Sequence, residues 1–376
     1  MSELASYSIQ AIFFALVAVV VVSRSRKTDL YQLALISIWL VGVIAIYARY
    51  GEDQVLFYSN DQLFHRQILE YYIPEEGLHL NAAIGLRYLL TVPVYLISLL
   101  GFDAMLIIKF LQLCALLGIY SAAKKFYTEH KITFRFLYVP LALGPLLVFM
   151  SLLSLRDVIL AYLAIMFTLR SPLKFKMLPL LFMFLLRPHL GVAMAFGFLV
   201  AQVFIRLEPR LNVFKIMLFS VSSYVFGSVS YWLGALIQQG ATLQLPSSVF
   251  SQAKISQLGA NFTGLQFLTL RGGDDLVVSA TNTALLISRF VFIETVLVPI
   301  LFLIFTLRSF SFTKVLKIQT LQAFLFFYGV VSQTTWNSTR QNIPFLACMG
   351  VLAVADIEYL RKIKAKVSPK LLTANC

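Results

Sequence analysis

The run SIQAIFFALVAVVVV at residues 8–22, followed at once by Ser23-Arg24-Ser25-Arg26-Lys27, decides the fold. A long apolar run can satisfy its backbone groups in hydrocarbon only as a helix. Basic residues at its end then hold that end at one interface. The pattern recurs along the chain. Further apolar runs fall at 30–48, 104–122, 136–154, 157–169, 177–187, 190–205, 212–237, 284–307, 318–335 and 343–360. A membrane crossing takes about 20 residues, so these predict one all-α, polytopic domain over 1–376 with about 11 transmembrane helices. Run 8–22 has no basic region before it and no small-residue cleavage site, so it is expected to be a span rather than a signal peptide.

Composition agrees. The chain of 376 residues is 59% hydrophobic and only 13% charged. Soluble domains carry about 25% charged residues. Even a 300-residue soluble domain buries only about 75% of its unfolded surface, so this much apolar surface could not be hidden in water. It is also too apolar for disorder. The net charge of +14 is spread in short clusters between runs, not in one patch, so no nucleic-acid partner is expected. Cys114, Cys348 and Cys376 are too scattered for a disulfide framework or zinc site, and four histidines leave little for a metal centre.

Placing the lysines and arginines sets the topology. Clusters at 24–27, 124–135, 170–176, 206–215, 308–317 and 361–370 can all be cytoplasmic at once. The N-terminus is then outside and the C-terminus inside. The outer loops are 49–103 and 239–283, and the cytoplasmic tail is 361–376. This parity requires that 84–100, with Arg87 and Pro93, does not cross. Residues 59–73 and 82–99 are therefore expected to be two helices at the outer interface, the first amphipathic. An ordinary twelfth span is the alternative.

Nine basic residues remain on the outer side and eight are arginines, whereas the cytoplasmic clusters mix arginine with lysine. Arginine is a rigid donor fork that grips phosphate bidentately and stays charged. The set, which includes Arg66 and Arg289, points to phosphate or pyrophosphate handled outside. Pairing with local carboxylates or lipid headgroups is the plainer explanation for any single one.

Two turns sharpen the expectation. Ser154-Leu155-Arg156-Asp157 and Leu186-Arg187-Pro188-His189 both return to the outer side, and the short runs between them place both below the membrane surface. Ionisable groups at such depth usually face a polar cavity. Asp157 also suits a helix N-terminus, and Arg156 could simply cap it. In Thr334–Pro344, Trp336 and Arg340 stand among hydroxyls and amides, a composition suited to a sugar face or to an interfacial anchor. Arg289 and Glu294 are five apart, not an ideal helix pair.

The first outer loop is acidic. Asp61 and His65 are four apart, on one helical face, and a carboxylate there could act as general base on an acceptor hydroxyl. Asp53 is the competing candidate.

Asp61-Gln-Leu-Phe-His65, then Pro93-Val-Tyr95 and Gly101, then the span Ile107–Tyr120 ending in Ala123-Lys-Lys-Phe126, resemble the GT-C membrane glycosyltransferases. The turns at 154–157 and 186–188 look more like the bacterial O-antigen and exopolysaccharide repeat-unit polymerases, the Wzy and EpsG-like group. The resemblance implies a multi-pass enzyme of the bacterial inner membrane using a polyprenyl-(pyro)phosphate-linked glycan. It would transfer that glycan to an acceptor hydroxyl on the periplasmic side. It implies that Arg156, Arg187 and Arg340 bind pyrophosphate and that Asp61 or His189 is the base. Asp157, Arg66, Arg289 and Trp336 are the further substrate-binding candidates. No cofactor is implied, since the arginines can stand in place of a metal. Membrane lipid and polysaccharide-assembly proteins are the remaining expected partners. The alternatives are a transferase adding one sugar from a polyprenyl-phosphate donor, and a lipid-linked glycan transporter. A transporter usually shows internal repeats, and none is evident.

Overall fold

The computed structural model describes residues 3–24, 29–51, 64–76, 88–132, 143–169, 173–187, a few positions between 190 and 202, and 343–373. Among these residues every regular element is helical. The helices are α1 (Glu3–Arg24), α2 (Leu30–Tyr50), a π-helical segment (Ile68–Glu76), α3 (Tyr88–Ser98) and α4 (Ala104–Glu129). They continue with the short α5 (Pro145–Met150), then α6 (Asp157–Leu169), α7 (Leu173–Leu186) and α8 (Ile343–Thr373).

Three of them, α1, α2 and α4, are long and apolar enough to cross a membrane. Their surfaces fit that role. Ile9, Phe13, Leu16, Val20 and Val21 of α1 and Ile38 and Val41 of α2 are exposed. In water such a contiguous apolar face would drive aggregation, whereas in lipid it is the ordinary outer surface. The opposite faces pack inward through Phe14, Trp39 and Val43. The Trp39 ring is fully buried, and its indole N–H donates to the Lys109 and Ser151 carbonyls at 3.2 and 3.1 Å.

At the centre, α6 packs against α4, α7 and α8. Residues 346–355 of α8 are buried on every side, as expected of a helix that is apolar all round. Of the run 136–154, residues 143–154 are described, and the last helical segment in them is the short Pro145–Met150. The chain leaves the helix at Ser151, whose hydroxyl turns back to the Val148 carbonyl at 2.6 Å. It then continues as a buried turn to Arg156. Helix α3, as described from Tyr88, is 11 residues long, about 16 Å at 1.5 Å per residue.

The basic-cluster residues that lie among the described segments meet at one end. Asp29 caps α2, accepting from the Tyr31 amide at 3.3 Å, while the Gln32 side chain accepts from the Asp29 amide. The other Asp29 oxygen accepts from Tyr120 at 2.6 Å and from Lys124 at 2.8 Å. That ties the loop after α1 to the last turns of α4. Lys362 of α8 donates to the Lys131 carbonyl, and the Tyr127 hydroxyl to the Val351 carbonyl at 2.8 Å. Arg24, Lys124, Lys131 and Lys362 therefore share one end, as the distribution of basic residues along the chain requires.

Burial raises the Asp29 carboxyl, but the Lys124 ammonium, the Tyr120 hydroxyl and the Tyr31 amide outweigh it, so its pKa falls below the ordinary value. A depressed acid stabilises the fold fully above its unfolded pKa, about 3.9, and that contribution disappears as pH falls through the folded value. The melting-temperature gap between wild type and Asp29→Asn, measured in detergent, is therefore expected to narrow from pH 7 to pH 3. A gap independent of pH would show that the carboxylate charge contributes nothing.

Candidate functional site

At the other end from the basic clusters, four elements converge on the turn 151–156. Gln112 lies in α4, eight residues past its first, about 12 Å along the axis. Its Nε2 donates to the Leu155 carbonyl, and its Oε1 accepts from the Val158 and Ile159 amides at 2.9 and 3.3 Å. The first amides of a helix have no acceptor within it, so a side chain from a neighbouring helix here caps α6. Ser154 donates to the Met105 carbonyl at 3.2 Å. The turn is thus fastened along α4 inside the bundle.

Around this turn the ionisable groups are buried. Arg187, at the end of α7, pairs with Asp157, the first residue of α6, at 3.3 Å, with side chains 9% and 1% exposed. Arg156 donates from Nη1 to the Leu186 carbonyl at 2.7 Å. The two turns singled out in the sequence are therefore one site. Asp157 is held by Arg187, thirty residues away, rather than by its neighbour Arg156.

His65 also reaches the cluster. Its Nδ1 lies 2.9 Å from the Ser154 carbonyl, and the ring is buried. A carbonyl only accepts, so Nδ1 carries the proton and in the neutral ring the lone pair is on Nε2. The adjacent Arg66 faces away and binds Glu70 one turn on, at 2.8 Å, on a more exposed surface. Among the described residues, His65 contacts the buried turn and Arg66 is placed with Glu70. Nearby, Lys109 of α4 donates to the Tyr7 hydroxyl at 3.0 Å, and Tyr7 stacks on Tyr47 at 3.8 Å between centroids.

Asp53, Asp61, His189, Arg289, Trp336 and Arg340 lie outside the described residues. Sequence reasoning missed Gln112 and the contact made by His65. A lone glutamine inside an apolar run was the available signal, because an amide in hydrocarbon needs partners. No group of three or more metal-ligating side chains is present among the described residues.

Gly191, just past α7, is packed tightly. A Cβ on Gly191 would lie 2.6 Å from Cα and 2.7 Å from N of Phe184, both backbone atoms that cannot swing aside. Gly191 also donates its amide to the Arg187 carbonyl at 3.2 Å. Gly191→Ala is expected to lower stability by about 1–3 kcal/mol and to displace Arg187. Thermal melting in detergent checks this, and an unchanged midpoint would show that the turn relaxes freely.

Compared with family models, with curated proteins and with solved structures, the chain matches none. Among the described residues the fold is helical, with three candidate membrane-spanning helices and a buried ionic cluster where α4, α6 and α7 meet.

Proposed function

We propose that the protein is a polytopic enzyme of the bacterial inner membrane, with about 11 spans, an outer N-terminus and a cytoplasmic C-terminus. It polymerises polyprenyl-pyrophosphate-linked glycan repeat units on the periplasmic face. The supporting observation is the convergence of Arg156, Asp157, Arg187 and His65 in one buried site, away from the basic end. Burying two guanidiniums and a carboxylate together in a membrane-type interior is expensive, and such groups normally mark a substrate path.

In this reading the acceptor hydroxyl attacks the anomeric carbon of the lipid-linked sugar. The bond from that carbon to the pyrophosphate oxygen breaks, and the arginines stabilise the charge left on the pyrophosphate. A carboxylate or histidine takes the hydroxyl proton, with Asp61, Asp53 and His189 as candidates. A guanidinium carries five N–H donors, so Arg156 is suited to bind an anion in a fixed orientation.

The test is deletion of the gene in its native host, followed by gel analysis of surface polysaccharide. Complementation then uses wild type, Arg156→Ala, Arg156→Lys, Arg187→Ala and Asp61→Ala, each checked for normal membrane levels. The expected result is loss of the long ladder with single repeats retained, rescued by wild type but not by the variants. Arg156→Lys keeps charge but loses the fork, so it should rescue poorly. A ladder that persists on deletion, or that every variant restores, would refute the reading. Loss of one sugar from each unit would favour a single-addition transferase.

A further inference from the structure

We propose that a groove between α4, α6 and α7 at the basic end holds one anionic phospholipid. An acyl chain lies along its floor, and the headgroup phosphate sits at Lys125 and Lys174. The inference is independent of the glycan reading.

The groove has a volume of about 620 Å³. Its walls include Ala122 of α4, Tyr162 and Met166 of α6 and Phe175 of α7. In its wall Tyr162 packs on Gly118, so closely that a Cβ there would lie 2.7 Å from the ring. Lys125 and Glu129 also line it, and both side chains are exposed. From Gly118 to Glu129 the helix rises about 16 Å, close to half of a hydrocarbon core of about 30 Å. The stretch of α4 that lines the groove is thus about one leaflet long, and the exposed Lys125 lies toward its basic end.

Charge selects the occupant. Lys124 is engaged by Asp29 at 2.8 Å. Lys125 is 78% exposed, and its contact with Glu129 is 3.8 Å, well beyond the 2.7–2.9 Å of a strong charged hydrogen bond. Lys174 stands over the Phe175 ring, 5.1 Å from its centroid, and that ring lines the groove. Two lysines against one glutamate favour a net anionic headgroup over a zwitterionic one. Phe175 is 48% exposed, an apolar wall that an acyl chain would cover.

The experiment is native mass spectrometry of the full chain with an equimolar mixture of phosphatidylglycerol and phosphatidylcholine bearing the same acyl chains. One phosphatidylglycerol should be retained with roughly thirtyfold preference, as expected for two lysines near a headgroup. Ala122→Trp fills the groove and should abolish retention. Lys125→Glu combined with Lys174→Glu changes only exposed positions and should remove the preference. Equal retention of both lipids would overturn the proposal. So would a preference that survives the lysine double variant, because the lipid would then sit elsewhere.

Discussion

Arg187→Met is expected to destabilise the protein by about 3–5 kcal/mol, and adding Asp157→Leu should recover most of the loss. The pair spans two helices at 3.3 Å and is almost fully removed from solvent. In such a place the attraction between the charges and the penalty of burying them are both large and nearly cancel. Removing one partner keeps the penalty and loses the attraction. Removing both loses the two together, and well-packed apolar side chains can then equal or exceed the original stability. A double-mutant cycle from unfolding in mild detergent measures the coupling. If each single variant costs less than about 1 kcal/mol, the pair is not buried as described, and the site is open to water or lipid headgroups. The double variant also separates stability from function. It should insert and melt close to wild type, yet, on the proposed function, fail to restore the polysaccharide ladder.

Gln112→Leu is expected to cost about 3 kcal/mol or more, a large effect for a residue that bears no charge. One carboxamide serves three backbone groups, the Leu155 carbonyl and the Val158 and Ile159 amides. Leucine nearly matches its volume but serves none of them. Each buried polar group left unserved costs about 1–3 kcal/mol, and the two amides share one oxygen, so the total is less than three separate losses. Gln112→Glu keeps an acceptor for both amides at a helix N-terminus, where negative charge is favoured, but loses the donor to Leu155. It should fall between leucine and wild type. Melting midpoints give the order, and hydrogen exchange at the Val158 amide gives the mechanism. Slow exchange in the leucine variant would mean that the amide has found another acceptor, and the large cost would not appear.

The sequence by itself determined the helical runs. Residues 8–22, 30–48, 104–122, 157–169 and 343–360 all lie within observed helices, because length and continuous apolarity leave hydrocarbon-buried backbone no other choice. It also indicated that Arg24, Lys124, Lys131 and Lys362 share an end, and it picked out Arg156, Asp157 and Arg187 as ionisable groups too deep to be ordinary. Tertiary structure alone decided the partners. Asp157 and its neighbour Arg156 leave a helix start in different directions, so the carboxylate takes Arg187 and Arg156 takes the Leu186 carbonyl. His65 and Arg66 stand side by side in sequence, yet one turns in to Ser154 and the other out to Glu70. The break at Ser151 inside an apolar run was equally hidden. Hydropathy averages over a window, while that turn exists because Trp39 takes the Ser151 carbonyl and Gln112 the Leu155 carbonyl. Apolar burial has no direction and shows as pattern along the chain. A hydrogen bond or ion pair has direction, and its partner is known only once distant helices have been placed side by side.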